Sequence, residues 1–312
     1  MQRLRQRAAM LRAIRTFLDG RGSLEVETPA LVRSPGVDVH LDAIAAGDGW
    51  LTTSPEYHMK RLLADGSGPI HQIGKAWRDG EVGSWHEPEF TMLEWYVPGL
   101  DDDGLMDQTE ALVRDAAGAL EVPLGDDTAF DRMTWREAFV RYAALDPATA
   151  ERRAFGLLLR ASGTRAPRGC STDDLLDLVL ALVIQPELGL ERPVFVTDWP
   201  VPRAALARVR SGRDADGSPS AARFELYWRG VELCNGYHEL TDPAEQRARI
   251  DRDNAARVAM DKVPYPVDED FLAALERGLP DCAGNALGVD RLLMALTGAT
   301  DIGDVRAFRV SL

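Results

Sequence analysis

Three groups of residues have types and spacings suited to handling a charged substrate. The first lies in IHQIGKAWRDGEVGSWHEPEFTMLEWYVP, residues 70–98. An apolar run ending on Arg78, a Gly-containing polar loop over about 79–88 and a second run from Glu89 to Val97 predict strand, loop and strand. Side chains alternate along a strand, so Phe90, Met92, Glu94 and Tyr96 share one face. Arg78 with a ring, a carboxylate and a phenol makes a polar floor. Taken alone, the same pattern also fits an ordinary antiparallel hairpin with one solvated face.

The second group lies in RFELYWRGVELCNGYHEL, residues 223–240, where Arg229-Gly230 reads as a hairpin turn. A two-residue turn sets Tyr227 opposite Glu232, with Glu225 diagonal to Glu232 on the same face. Two carboxylates so placed repel unless a cation lies between them, and hard oxygen ligands favour magnesium. The third group is GNALGVDRLLMAL, residues 284–296: a Gly-punctuated segment, then a helix starting near Asp290 with Arg291 in its first turn. A helix N-terminus favours negative charge, so an arginine there points to a bound anion.

Several elements must position these groups. Leu4, Ala8, Leu11, Ile14 and Leu18 recur at helical spacing, ended by Gly20 and Gly22, and the arginines at 3, 5, 7, 12 and 15 read as the solvated face. Glu25 to Leu31 reads as a short strand interrupted by Pro29, which belongs at an edge or interface. Trp50 to Thr53 is a further short strand. In SPEYHMKRLL, Ser54 reads as N-cap and Pro55 as first helical residue, with Lys60 and Arg61 as surface charges. Residues 102–120 form an amphipathic helix. From Thr134 to Gly217 the composition shifts to helical pieces at 134–144 and 172–184, the latter capped by Thr172 and Asp173, with loops rich in Gly, Pro and Arg between them. This segment reads as a helical insertion between two halves of one sheet. Its arginines (152, 153, 160, 165, 168, 192, 203, 208, 210 and 213) mostly solvate a surface, and some are candidates for a landing patch for an acidic partner protein. The strand Val194 to Trp199 reads as core. Asp242-Pro243-Ala244-Glu245 opens a helix running to about Met260.

Composition narrows the possibilities. The chain holds 36 basic and 50 acidic residues, a net charge of −14, which argues against nucleic-acid binding by bulk electrostatics. It has no 18-residue apolar run and no signal-peptide pattern, so a cytoplasmic protein without membrane attachment is expected. Cys170, Cys234 and Cys282 fit neither a zinc spacing nor a disulfide framework. His40, His58, His71, His86 and His238 are dispersed, and no phosphate-binding glycine loop occurs. Phosphate handling falls to arginines and a metal.

With these residues in view, the chain resembles the catalytic core of class II aminoacyl-tRNA synthetases of the lysyl type, and among them the free-standing paralogues that act on translation elongation factor P. LEVETPAL (24–31) resembles motif 1, SPEYHMKRLL (54–63) the amino-acid loop, and WRDGEVGSWHEPEFTMLEWY (77–96) motif 2. GVELCNGYHELTD (230–242) resembles the metal-binding strand and GNALGVDRLLM (284–294) motif 3. The resemblance implies an α+β fold: a class II synthetase-like core, its antiparallel β-sheet flanked by helices, with the helical insertion at about 134–217 inside a single catalytic domain spanning 1–312. It implies a homodimer. No N-terminal anticodon-binding OB domain precedes motif 1, so tRNA is not an expected acceptor.

The implied chemistry is ATP-dependent activation of a lysine-like amino acid, (R)-β-lysine, as its adenylate, followed by transfer to a lysine of elongation factor P. In that scheme Arg78 and Arg291 are catalytic and grip the α- and γ-phosphates, with Asp79, Gly80, His86, Glu87, Leu233 and Gly288 also around ATP. Phe90 stacks on adenine, and Glu225 and Glu232 hold magnesium. Ser54, Pro55, Glu56, Glu94, Tyr96, Asn235, Tyr237, Glu239 and Ala286 line the amino-acid pocket, and its acids, without ligand, are expected to be partly protonated. Ala286 stands where lysyl-tRNA synthetases usually have Gly. Two positions depart from the family: Gly80 replaces a Glu, and Glu87 replaces the Asn of the HNPEF pattern. Two other readings stay open: an amino-acid ligase with another acceptor, such as a carrier protein or small amine, and a non-catalytic amino-acid-binding regulator.

Overall fold

The structure, a computed structural model, describes residues 1–124, 129–167, 169–211 and 217–309. The chain divides into two compact units, Met1–Pro123 with Gly236–Leu312, and Leu124–Asn235. Among the described residues no helix is long and apolar enough to cross a membrane.

The first unit opens with α1 (Gln2–Asp19), which buries Met10, Ile14, Phe17 and Leu18. In place of one strand over 25–31 there are two fragments, β1 (Leu24–Glu25) and β2 (Leu31–Val32), with Pro29 between them. Proline offers no N–H to a ladder, so pairing stops there. β3 (Ala45–Ala46) and β4 (Gly49–Leu51) complete a small antiparallel sheet with β2. Then come α2 (Glu56–Ala64), β5 (Ile70–Trp77), β6 (Glu89–Pro98) and α3 (Asp102–Gly118), the last capped by the Asp101 side chain.

The second unit holds β7 (Asp131–Thr134), α4 (Trp135–Ala138) continuing into a π-helical turn, α5 (Arg152–Ala161), α6 (Thr172–Val179), β8 (Val194–Pro200), β9 (Val209–Ser211), β10 (Pro219–Trp228) and the start of β11 (Val231–His238). β7 runs parallel to β8, and β10 pairs antiparallel with both β8 and β9. Phe195 and Phe224 meet edge-on with ring centres 5.6 Å apart in its core. Helix α5 stands where loop was expected: Phe155 and Leu159, four residues apart, are buried within an arginine-rich segment. The cap of α6 is Ser171, reciprocated by Asp174, one residue before the expected Thr172. Of the insertion's arginines, Arg192 pairs with Asp131, Arg203 with Asp173 and Asp177, and Arg210 with Asp198, so these are tied locally. Arg168 and Arg213 lie outside the described residues. The β10–β11 turn has φ of 54° at Arg229 and 75° at Gly230, the two left-handed residues a tight hairpin turn needs.

Back in the first unit, α7 (Pro243–Ala259) starts from the Asp242 cap as expected, α8 (Glu269–Gly278) was not foreseen, and β12 (Cys282–Gly288) leads directly into α9 (Val289–Thr297). β6 is the central strand of this unit's sheet, antiparallel to β5 on one side and β12 on the other, with β1 parallel to β5. Its register aligns Gln72, Glu94 and Ala286 in one row and Ile70, Tyr96 and Gly284 in another. Leu93 and Trp95 of β6 and Leu287 of β12 are fully buried.

One of the α1 arginines is not solvating. Arg7 reaches Asp290 at 2.6 Å and donates to Thr91 Oγ1 at 2.7 Å, and the Thr91 N–H donates to the other Asp290 oxygen at 2.7 Å. Asp290 is almost completely buried. Removing one member of such a set strands the rest. Asp290→Ala is expected to lower unfolding stability by about 3 kcal/mol, read as a lower urea midpoint at unchanged slope.

Candidate active site

The residues foreseen for an amino-acid pocket in the first unit come together around β6. Glu94 is buried, accepting from the Tyr96 hydroxyl at 2.6 Å and from Ser54 Oγ at 2.8 Å. Ser54 does not cap α2 in the expected way: the cap position is Pro55, and Ser54 Oγ accepts the N–H of Glu56 at 3.1 Å. Lys60, expected at the surface, is fully buried. Its ammonium lies 2.6 Å from Glu56 and 2.6 Å from Glu239. Gly284 is a further residue missed in the sequence: a Cβ there would come within 2.6 Å of Glu239 Oε1 and into the Tyr96 ring. Ala286 pairs with Glu94 one row away, and Tyr237 is half-buried at the end of β11.

Burial raises the Glu94 carboxyl to about 7, helped by the charge of Glu56. Burial likewise raises Glu239 to about 8, against the pull of Lys60. Lys60 is held above its ordinary value because Glu239 and Glu56 outweigh its own desolvation. Tyr96 is pushed well up by burial and by the same acids.

The second cluster of this unit is suited to phosphate and a base. Arg78 follows β5 with its guanidinium 5.0 Å from the Phe90 ring centre. The motif 2 loop brings His86 to Arg291, with Nε2 2.5 Å from Nη2, while Trp85 O accepts from Arg291 Nε at 3.4 Å. Gly288 caps α9 against the Arg291 side chain. Both departures from the family have local explanations. Gly80 has φ of 73°, accessible to glycine without strain, and donates to Asp79 at 2.9 Å. Glu87 is buried and faces Arg306 at 3.7 Å and Arg309 at 3.6 Å, so its charge is answered from the C-terminal segment. Glu81 pairs with His86 at 3.2 Å.

In the second unit, Glu225 is buried between the Tyr227 hydroxyl and the Arg223 guanidinium, and Arg223 also donates to Asn235 Oδ1 at 3.1 Å. Leu233 is buried and Glu232 half-exposed on β11. Burial raises the Glu225 carboxyl to about 7; Arg223 opposes the rise and Glu232 adds to it. Among the described residues no group of three His, Cys, Asp or Glu side chains forms a complete metal cage. Glu225 and Glu232 are hard carboxylate donors of the kind magnesium takes, and the charge of Glu232 is felt at Glu225.

A family model described as tRNA synthetases class II (D, K and N) matches residues 1–311. The chain belongs to the class II tRNA synthetase family. It is accordingly an ATP-dependent ligase. The class II chain is 44% identical to an elongation factor P–(R)-β-lysine ligase of Vibrio cholerae, over 99% of its own length and 95% of the relative's. It is 43% identical to proteins of the same name from Proteus mirabilis and Edwardsiella ictaluri, in each case over 98% of its length and 94% of theirs.

The raised carboxyls have a thermodynamic consequence for this class II core. Between the unfolded value near 4.5 and the folded values near 7 and 8, the native chain holds more protons than the unfolded one. The contribution of Glu94 and Glu239 to stability therefore falls as pH rises through that window. Urea denaturation at pH 5 and pH 8 is expected to show wild type losing stability relative to Glu239→Gln across the interval.

Proposed function

We propose that this ligase activates (R)-β-lysine with ATP and transfers it to a lysine side chain of translation elongation factor P. The observation that carries the reading is the buried acid pocket: Glu56, Glu94 and Glu239 within one network, a complement for a substrate with two amines. The names of the relatives support the amino acid and the acceptor.

The substrate carboxylate is already anionic at neutral pH and attacks the α-phosphorus of ATP without a protein base, releasing pyrophosphate. What the chain contributes is position and charge. Arg78 and Arg291 bind phosphate oxygens, the planar guanidinium suiting paired contacts. Phe90 supports adenine, with Asp79, Gly80, His86, Glu87, Leu233 and Gly288 as the remaining nucleotide residues. Glu56, Glu94, Tyr96, Asn235, Tyr237 and Glu239 orient the amines, and Ser54 and Pro55 shape the pocket beside them. Glu225 and Glu232 would hold magnesium, which when bound neutralises phosphate charge. In the second step the acceptor lysine, as free amine, attacks the acyl carbon of the mixed anhydride; the amide forms, AMP leaves and the amine's proton is lost. A cytoplasmic homodimer, with α1 and the strand fragments after it at the interface, belongs to the same reading.

Pyrophosphate exchange run with (R)-β-lysine and α-lysine in parallel, followed by mass analysis of elongation factor P, tests it. Exchange with (R)-β-lysine and a gain of one lysyl residue on the factor are expected. Exchange without that gain would move the acceptor elsewhere, and no exchange with any amino acid would sink the enzymatic reading.

Ala286 pairs with Glu94 in the row that crosses the pocket. One methyl there shifts preference between α- and β-amino isomers by about 1–3 kcal/mol. Ala286→Gly is expected to raise kcat/KM for α-lysine relative to (R)-β-lysine by roughly tenfold or more, measured in the same exchange assay.

A further inference from the structure

Lys60 is the residue of the first unit whose placement the proposed reaction does not explain. Glu56 and Lys60 are four apart on α2, a spacing that usually makes a weak surface pair. Here the pair points inward. The lysine side chain and Glu239 have no solvent exposure, and the ammonium sits equidistant between two acids assigned to the substrate's amines. The charged groups facing it are Glu56 from α2, Glu239 after β11 and Glu94 from β6, with the Tyr96 phenol beside Glu94. Arg61, its neighbour in sequence, points to Asp270 of α8.

A buried ammonium is costly unless paired, and a buried trio of carboxylates is costlier. Once a bound cation has drawn their protons off, three acids with one fixed ammonium carry two negative charges. That count matches a substrate presenting two ammonium groups, whose carboxylate is committed to the reaction. Lys60 also takes up one oxygen each of Glu56 and Glu239, which fixes the direction of the others.

We propose that Lys60 is a positioning residue for amino-acid selection: a built-in ammonium that sets the pocket's charge for a diamino acid and aims Glu56 and Glu239. The inference rests on the adenylating reading above. Without Lys60, Glu94 and Glu239 lose a cation that holds their carboxyls down, keep protons to higher pH and accept substrate ammonium poorly near neutrality. A purely packing role would lower the folded fraction but leave the KM and its pH dependence untouched.

The test is pyrophosphate exchange from pH 6 to 9 on folded Lys60→Met. At pH 7 the KM for (R)-β-lysine is expected to rise roughly 100-fold, as when a charged hydrogen bond is lost, while the KM for ATP stays within about threefold. The pH at which amino-acid KM levels off should move upward, and Lys60→Arg should move it back. If Lys60→Met does not fold, Lys60→Gln with Glu239→Gln keeps two negative charges and a neutral amide pair. That double variant should show the wild-type pH midpoint, though with weaker binding. Unchanged KM and midpoint in the single variant, or a midpoint in the double variant still shifted, overturns the role of Lys60 alone. Wild type inert with every amino acid overturns the underlying reading as well.

Discussion

A carboxylate with almost no access to water holds α1, β6 and α9 in register. Asp290 opens α9, and its two oxygens are used by Arg7 of α1 and by the backbone N–H of Thr91 in β6. Three elements far apart in sequence are thereby fixed to one another through one side chain. The next residue is Arg291, so the direction in which its guanidinium leaves the helix follows from how Asp290 is held. Gly288 lies opposite Met92 in the β6–β12 ladder, which limits how the turn from strand into helix can shift. An isolated buried carboxylate would cost several kcal/mol, so the arrangement persists only with every partner in place.

The acid cluster around Glu94 and Lys60 uses the same physics with a different balance. Around Asp290 the acid and the guanidinium match. Around Glu94 three acids surround one ammonium, and burial, with the neighbouring acids adding to it, raises the carboxyls of Glu94 and Glu239 toward neutrality. Such a site stores electrostatic cost in its free state and gives it back to a ligand that brings positive charge. The glycine at 284 is part of this design, because any larger residue would occupy the gap between Tyr96 and Glu239.

Local pattern made much of this legible in the sequence. The β5–β6 hairpin and its shared face follow from period-two alternation, the Arg229-Gly230 turn from its residue types, and α7 from the Asp-Pro start. The resemblance assigned Glu56, Glu94 and Glu239 to one pocket, and the structure places them in one network. What could not be read were inward-pointing charges. Lys60 and Arg7 lie in stretches that look like solvated helix faces, and only long-range partners, Glu239 and Asp290, turn them inward. The Glu56–Lys60 spacing was the available signal, but it fits a surface pair equally well. Helix α5 was hidden for a related reason, since its arginines masked the two buried side chains that anchor it.

The two departures from the family pattern are each accommodated by their local surroundings. At Gly80 the backbone lies in the left-handed region, φ 73°, which glycine adopts without strain and a side chain disfavours. At Glu87 a carboxylate has been added, and Arg306, nearly as buried, stands opposite it while also bonding Glu89 at the start of β6. The added charge is answered within the protein, by Arg306 at 3.7 Å and Arg309 at 3.6 Å.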